Sequence, residues 1–193
     1  GNQKLAEELD EKLINRTVLG LKTIIKRSGG LKDFIQTYTN FTDAGEPVYS
    51  SIQIAEMFKH VISLLEVDLT KSGIKVNLDV IPQDLILMAD EKLIEQTLIN
   101  LVKNSIYALE NRDKPKIRLK ASQHDQRVSI EIADNGKGIS KDILDTVFTP
   151  FFTTRKGGSG IGLSLARQVM LMHNGTIHVA SKEGEQTIFT LSF

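Results

Sequence analysis

The chain has 193 residues, 40% of them hydrophobic and 25% charged, with 24 Lys+Arg balanced by 24 Asp+Glu. This size suits one domain with an appendage and a real core, and the charge balance gives no ground for nucleic-acid or membrane-surface binding. The absence of cysteine excludes disulfides, thiolate metal sites and Cys nucleophiles, and no apolar run approaches the ~20 residues of a membrane span. No signal peptide is read, and a cytoplasmic domain is expected, with membrane anchoring of a longer parent left open.

In chain order, residues 3 to about 42 read as one long helix. Thr17, Leu21, Ile24, Ser28, Leu31, Ile35 and Tyr38 alternate spacings of four and three, a heptad seam. Gly29-Gly30 interrupts it at about 1–2 kcal/mol of helix propensity. Gly45-Glu46-Pro47 ends the element and separates residues 1–45 from a domain at 46–193. A second helix is expected from Ser51 to Lys71, with Ile54, Met57, Phe58, Val61, Leu64 and Leu65 on its apolar face and Gly73 at its C-terminal cap. Strands follow at Ile74–Val80 and Leu85–Met88. Asp90 caps a third helix reaching Glu110, and a hairpin joins strands Lys116–Ala121 and Val128–Ala133. A short helix at Ser140–Val147 and a loop at 148–158 lead to a helix at Ser159–His173. Two strands, Thr176–Ser181 and Thr187–Phe193, close the chain. The expected class is α+β, an α/β sandwich. It has a mixed sheet of about five strands covered on one face by about three helices, preceded by the long N-terminal helix.

The chemistry concentrates in two glycine turns. Asp134-Asn135-Gly136-Lys137-Gly138 puts a carboxylate at the end of a strand, where it can accept a hydrogen bond from an exocyclic amine of a purine. Gly158-Ser159-Gly160-Ile161-Gly162-Leu163 opens a helix, so free backbone N–H groups can face an anion. Either turn alone is a weak signal; in this order they suit a nucleotide. Asn100 and Asn104 share one helix face, and the Asn104 carbonyl oxygen suits a hard cation such as Mg²⁺ shared with substrate phosphates. A solvated pair of asparagines is the alternative for that face. Phe148, Phe151 and Phe152 crowd one loop, which must dock on something. Arg155 and Lys156 stand just before the second turn, within reach of terminal phosphates or else simply solvated. Lys137 reads as solvated and incidental. The four histidines, His60, His124, His173 and His178, lack metal spacing and read as structural or surface groups, with His173 at a helix C-terminus where a cation is welcome.

On these motifs the chain resembles the sensor histidine kinases of two-component signalling, within the ATP-binding superfamily shared with gyrase, Hsp90 and MutL. Asn100-Leu101-Val102-Lys103-Asn104 is similar to the family's N box, Asp134 to Gly138 to its first glycine box, Phe148 to Phe152 to its F box, and Gly158 to Leu163 to its second glycine box. The ending Thr187-Ile188-Phe189-Thr190-Leu191 is similar to the last strand, whose Thr helps hold the adenine-binding carboxylate and a water. Residues 3–42 resemble the second helix of the dimerisation and phosphotransfer hairpin of the nitrogen-regulation-like branch. The resemblance implies ATP and Mg²⁺ as cofactors. It implies nucleotide contacts from Asn104, Tyr107, Asp134, Gly136, Gly138, Ile139, Thr154, Gly158, Ser159, Gly160, Ile161, Gly162, Leu163 and Thr187. It places Mg²⁺ on Asn104, and catalytic work on Asn104, Asn100, Arg155 and Lys156. The implied partners are a phosphoacceptor hairpin of the same protein, a response regulator and a second copy of the parent, with no nucleic acid.

Three departures qualify the resemblance. The phosphoacceptor helix with its His-Glu pair is expected to be missing from this chain. Gyrase-type ATPases carry a Glu general base four residues before the metal-binding Asn, where this chain has Asn100, and Glu95 lies on the opposite helix face. Many members carry Lys or Arg three residues after that Asn, where this chain has Tyr107. The expected activity is transfer of the ATP γ-phosphoryl group to a histidine. A protein serine kinase of the same superfamily and a degenerate nucleotide-binding module that dimerises stay open as alternatives.

Overall fold

The computed structural model describes residues 13, 14, 16–18, 20, 21, 46–155 and 158–193. Residues 13, 14, 16–18, 20 and 21 are helical, as the heptad reading expects, and Leu13, Ile14, Val18 and Leu21 among them are exposed. The rest of that seam, from Ile24 to Tyr38, and the Gly29-Gly30 pair lie outside the described residues.

From residue 46 onward the first element is strand β1 (Ser50–Gln53), where the sequence pattern predicts helix. Ile52 is buried between exposed Ser51 and Gln53, an alternation too short to separate from helical spacing, and β1 pairs antiparallel with β3 (Ile86–Ala89) as a two-stranded ribbon. Helix α1 (Ile54–Leu64) then buries Ile54, Met57, Phe58 and Val61. The chain breaks helical geometry at Leu65 and resumes as α2 (Glu66–Lys71). That break corrects the expectation of one continuous face: Leu65 is 4% exposed while Leu64 turns outward at 54%. Gly73, at φ +62°, closes α2 as predicted, its N–H donating to the Thr70 carbonyl at 3.0 Å.

The main sheet has the order β2-β4-β5-β7-β6, built from β2 (Lys75–Ile81), β4 (Lys116–His124), β5 (Arg127–Asp134), β6 (Thr176–Lys182) and β7 (Gln186–Ser192). β2 runs parallel to β4 and every other pairing is antiparallel, so the sheet is mixed. β4 and β5 form a tight hairpin through Asp125 and Gln126, both at positive φ. Helix α3 (Glu91–Ala108) starts at Asp90, whose carboxylate accepts from the Leu93 N–H at 3.2 Å and from the Val48 N–H at 3.0 Å. Helix α4 is limited to Lys141–Leu144, shorter than expected, and α5 runs Gly162–Met172.

One face of the sheet carries the core. Ile117, Leu119, Ile130, Ile132, Phe189 and Leu191 point from alternate strand positions onto Phe58, Leu98, Leu101, Ala166 and Met170 of the helical layer. α3 and α5 pack side by side in that layer. His173, just past α5, ties their far ends together. Its Nδ1–H donates to the Val169 carbonyl at 2.8 Å, and its Nε2 accepts the Asp90 N–H at 3.0 Å. Both ring nitrogens are thus spent on the backbone, and His173 is the structural group that the sequence reading expects.

Candidate functional site

α3 forms one wall of a cavity of about 470 Å³, to which it presents Asn100, Lys103, Asn104, Tyr107 and Ala108. Spacings of three, one, three and one keep these five residues on a single helical face. The opposite face of α3, with Ile94, Leu98, Leu101 and Val102, is locked into the core, which fixes the rotation of the helix about its axis. Asn100 and Asn104 are half-buried, and among the described residues neither side-chain amide has a protein hydrogen-bond partner. A half-buried amide is costly to leave unmatched, so both carbonyl oxygens suit a ligand or a hydrated cation. No three His, Cys, Asp or Glu residues cluster as a metal cage among the described residues, and a cation here would share its coordination with a ligand.

Asp134 ends β5 at 4% exposure and borders the same cavity. Ser105, on α3, donates its hydroxyl to Oδ2 at 3.0 Å, and the Gly136 N–H donates to Oδ1 at 2.9 Å. Burial raises this carboxyl above its ordinary value, and the Gly136 and Ser105 hydrogen bonds pull it part of the way back. Each carboxylate oxygen has a second lone pair, so acceptor capacity remains for a donor in the cavity. The turn that follows tolerates only glycine at 136, where a Cβ would sit 2.6 Å from Asp134 Oδ1 and 2.7 Å from the Ala108 carbonyl oxygen. Thr187 faces Asp134 across the β5–β7 ladder, but its hydroxyl lies 3.1 Å from Ser181 Oγ. Ser181 spends its own proton on the Gln186 carbonyl at 2.8 Å, so Thr187 is the donor between them. The hydroxyl holding the carboxylate is therefore that of Ser105, on the helix, and not that of Thr187.

The third wall is the loop before α5. Thr153, Thr154, Arg155, Gly158, Ser159 and Gly160 border the cavity, followed by Gly162 and Leu163 at the start of the helix. Gly160, at φ +71°, lets the Phe151 N–H donate to its carbonyl at 2.8 Å, and a Cβ there would meet the Phe151 backbone carbon at 2.5 Å. The aromatic loop thus docks on the glycine turn, and Phe148 packs edge-on against Phe189 of β7, with centroids 6.5 Å apart. Among the described residues no side chain caps the N-terminus of α5 and no carboxylate sits in its first turn, so its leading N–H groups stay open to an anion.

The residues given nucleotide, metal or catalytic roles from sequence converge on this cavity except for three. Gly136 and Ile161 are buried behind it, where they shape the two turns, and Lys156 lies outside the described residues. The fold adds several that the sequence reading missed. Lys103 belongs to the α3 face by spacing alone and could have been found that way. Lys137, read as incidental, borders the cavity, as do Ser140, Ile143 and Val147 around α4. Glu183 arrives from the β6–β7 hairpin, and nothing in the local sequence announces it.

Residues 89–193 match the family model described as histidine kinase-, DNA gyrase B- and HSP90-like ATPase. The sensor histidine kinase ZraS of Escherichia coli K12 is 34% identical over 152 residues, covering 76% of this chain and 32% of that protein. The catalytic domain of histidine kinase ThkA superimposes with a TM-score of 0.69 at 28% identity, covering 76% of this chain and 95% of that one. ThkA solved in complex with the response regulator protein TrrA gives a TM-score of 0.68 at 25% identity, over 84% of this chain and 46% of that one. The chain spans about a third of the length of the curated relatives it matches. The matched segment holds more than half of the sequence and every residue bordering the cavity, and the protein belongs to the histidine kinase-, DNA gyrase B- and HSP90-like ATPase family.

Proposed function

We propose that residues 46–193 are an ATP-binding catalytic domain that passes the γ-phosphoryl group to a histidine on a dimerisation hairpin of the parent protein, and that residues 1–45 belong to one helix of that hairpin. The observation that carries this reading is the arrangement along α3. Ser105 touches the Asp134 carboxylate, while Asn100 lies beside Gly162 at the open N-terminus of α5. At 1.5 Å per residue, the five to eight residues from Asn100 to Ser105 and Ala108 span roughly 8–12 Å, the scale of a nucleotide from base edge to phosphates.

In this reading Asp134 accepts the adenine exocyclic amine on the lone pairs left free by Ser105 and Gly136, and repels a carbonyl presented at the same place. Gly136, Gly138 and Ile139 close on the base, with Thr187 beside the carboxylate. Asn104 holds Mg²⁺ through its amide oxygen, with Asn100 one turn away and Tyr107 further along the same face. Thr154, Gly158, Ser159, Gly160, Gly162 and Leu163 receive the phosphates on backbone N–H groups and the helix dipole. Bound ATP with Mg²⁺ supplies the phosphoryl group and most of the charge neutralisation. Arg155 and Lys156 supply the remaining positive charge. Asn100 has no basic lone pair to take a proton from water, which favours transfer over hydrolysis. His173 spends both ring nitrogens on the backbone, which removes it as an acceptor. The ThkA–TrrA complex supports relay to a response regulator, and the exposed apolar residues between 13 and 21 support a homodimer of the parent.

The test is to incubate the chain with Mg-ATP and a separately supplied acceptor hairpin carrying a histidine. Slow appearance of acid-labile phosphate on the hairpin is expected, slow because tethering is lost. Acid-stable phosphate on a serine, or no transfer despite tight ATP binding, would overturn the assignment.

A further inference from the structure

Lys137 and Arg155 lie over one ring. The Lys137 Nζ is 4.3 Å from the Tyr107 ring centroid and the Arg155 guanidinium carbon is 4.9 Å from it, and all three residues border the cavity. Both distances are within cation–π range. Among the described residues neither cation has a carboxylate within ion-pair distance. Two like charges gathered on one ring repel each other, and the ring's quadrupole offsets this only in part. An anion entering the cavity removes that repulsion.

The backbone supports the same conclusion. Lys137 is pinned on both sides, its N–H donating to the Ala108 carbonyl at 3.0 Å and its carbonyl accepting the Gly184 N–H at 2.7 Å. Its ammonium therefore swings from a fixed root. Arg155 comes from the facing loop, its N–H donating to Thr153 Oγ1 at 3.0 Å. Tyr107 stands on α3 one turn beyond Asn104, the residue assigned to the metal. We propose that Lys137 and Arg155 form a two-cation clamp on the nucleotide's polyphosphate, with Tyr107 as the positioning residue that gathers both over the cavity. The proposal rests on the ATP-binding reading above and assigns Lys137 a phosphate-binding role. Adenine and ribose are neutral, so the polyphosphate is the part of the ligand that two cations would recognise.

Calorimetry on the full chain with Mg-ATP and with adenosine, at low and high salt, tests it. Lys137→Ala should weaken Mg-ATP about tenfold, as loss of one charge-assisted contact does, and flatten the salt dependence, with adenosine affinity unchanged. Tyr107→Leu should lower the ATP-to-adenosine ratio in the same way, and Tyr107→Phe, which keeps the ring, should restore it. Lys137 is exposed, so its truncation leaves the fold intact and carries the test if Tyr107→Leu unfolds. Mg-ATP affinity and salt slope unchanged in Lys137→Ala would overturn the clamp while leaving ATP binding in place. Equal losses for Mg-ATP and adenosine would overturn it as well. A wild-type chain that binds neither ligand would remove the ATP-binding reading and the clamp together.

Discussion

An exocyclic amine needs the ionised form of Asp134, and burial has already raised the proton affinity of that carboxyl. ADP affinity should therefore fall as pH drops through the raised value, starting at higher pH than for an ordinary carboxylate, and calorimetry across the mildly acidic range reads this directly. Asp134→Asn should remove the dependence and cost about 1.5–3 kcal/mol of binding at neutral pH. Stability of the ligand-free protein moves the other way. With the folded pKa above the unfolded one, the native state binds more protons between the two values. The contribution is complete below the ordinary carboxylate value and is lost as pH rises through the raised one. Asn104→Ala belongs to the same scale: it should weaken ATP binding strongly with Mg²⁺ present and little with the metal chelated, and equal losses would make Asn104 structural. Asp134, Asn100 and Asn104 were legible in the sequence because each breaks the pattern around it. A carboxylate closes an apolar strand just before a glycine turn, and two amides recur one turn apart on a helix rich in Leu and Ile. Ser105 was not legible, since a serine within an apolar helix declares no partner until the register of α3 against β5 is known.

Among the elements, the turn into α5 is tightly constrained. Gly160 combines a positive φ with a Cβ position occupied by the Phe151 backbone, whereas a Cβ at Gly162 would rest 3.6 Å from the Asn100 side chain, an ordinary contact. Gly160→Ala should cost about 1–3 kcal/mol of stability and undo nucleotide binding together with the docking of the aromatic loop. Gly162→Ala should leave the melting temperature nearly unchanged and act, if at all, on binding alone. Thermal melts and calorimetry on the pair separate the two, and equal destabilisation would contradict the geometry. The glycine pattern exposed this turn in the sequence, just as alternation exposed β2 and β4 to β7. Where pattern was ambiguous the reading failed for physical reasons. Ile52 and Ile54 satisfy a strand or a helix start equally well, and the adjacent Leu64 and Leu65 do not say which of them the bend at Leu65 turns outward.

Across the whole molecule, Leu13, Ile14, Val18 and Leu21 expose apolar surface on helical residues. Burying such side chains yields roughly 1.5–3 kcal/mol each when complete. The chain should therefore self-associate at micromolar concentration, and one lacking residues 1–45 should stay monomeric while keeping its affinity for ADP. Light scattering over a concentration series checks this, and a monomeric full chain would remove self-association as the role of that helix. The order β2-β4-β5-β7-β6 places β7 inside the sheet, between β5 and an edge strand that pairs with nothing else among the described residues. Thr187 and Phe189, which border the cavity, ride on that strand. A polypeptide leaving the ribosome N-terminus first thus holds an open ladder edge on β5 and an unpartnered β6 until residues 186–192 emerge, so the sheet is completed only by its last-made strand, and nascent chains halted before Gln186 should be unable to retain nucleotide and prone to strand-edge association.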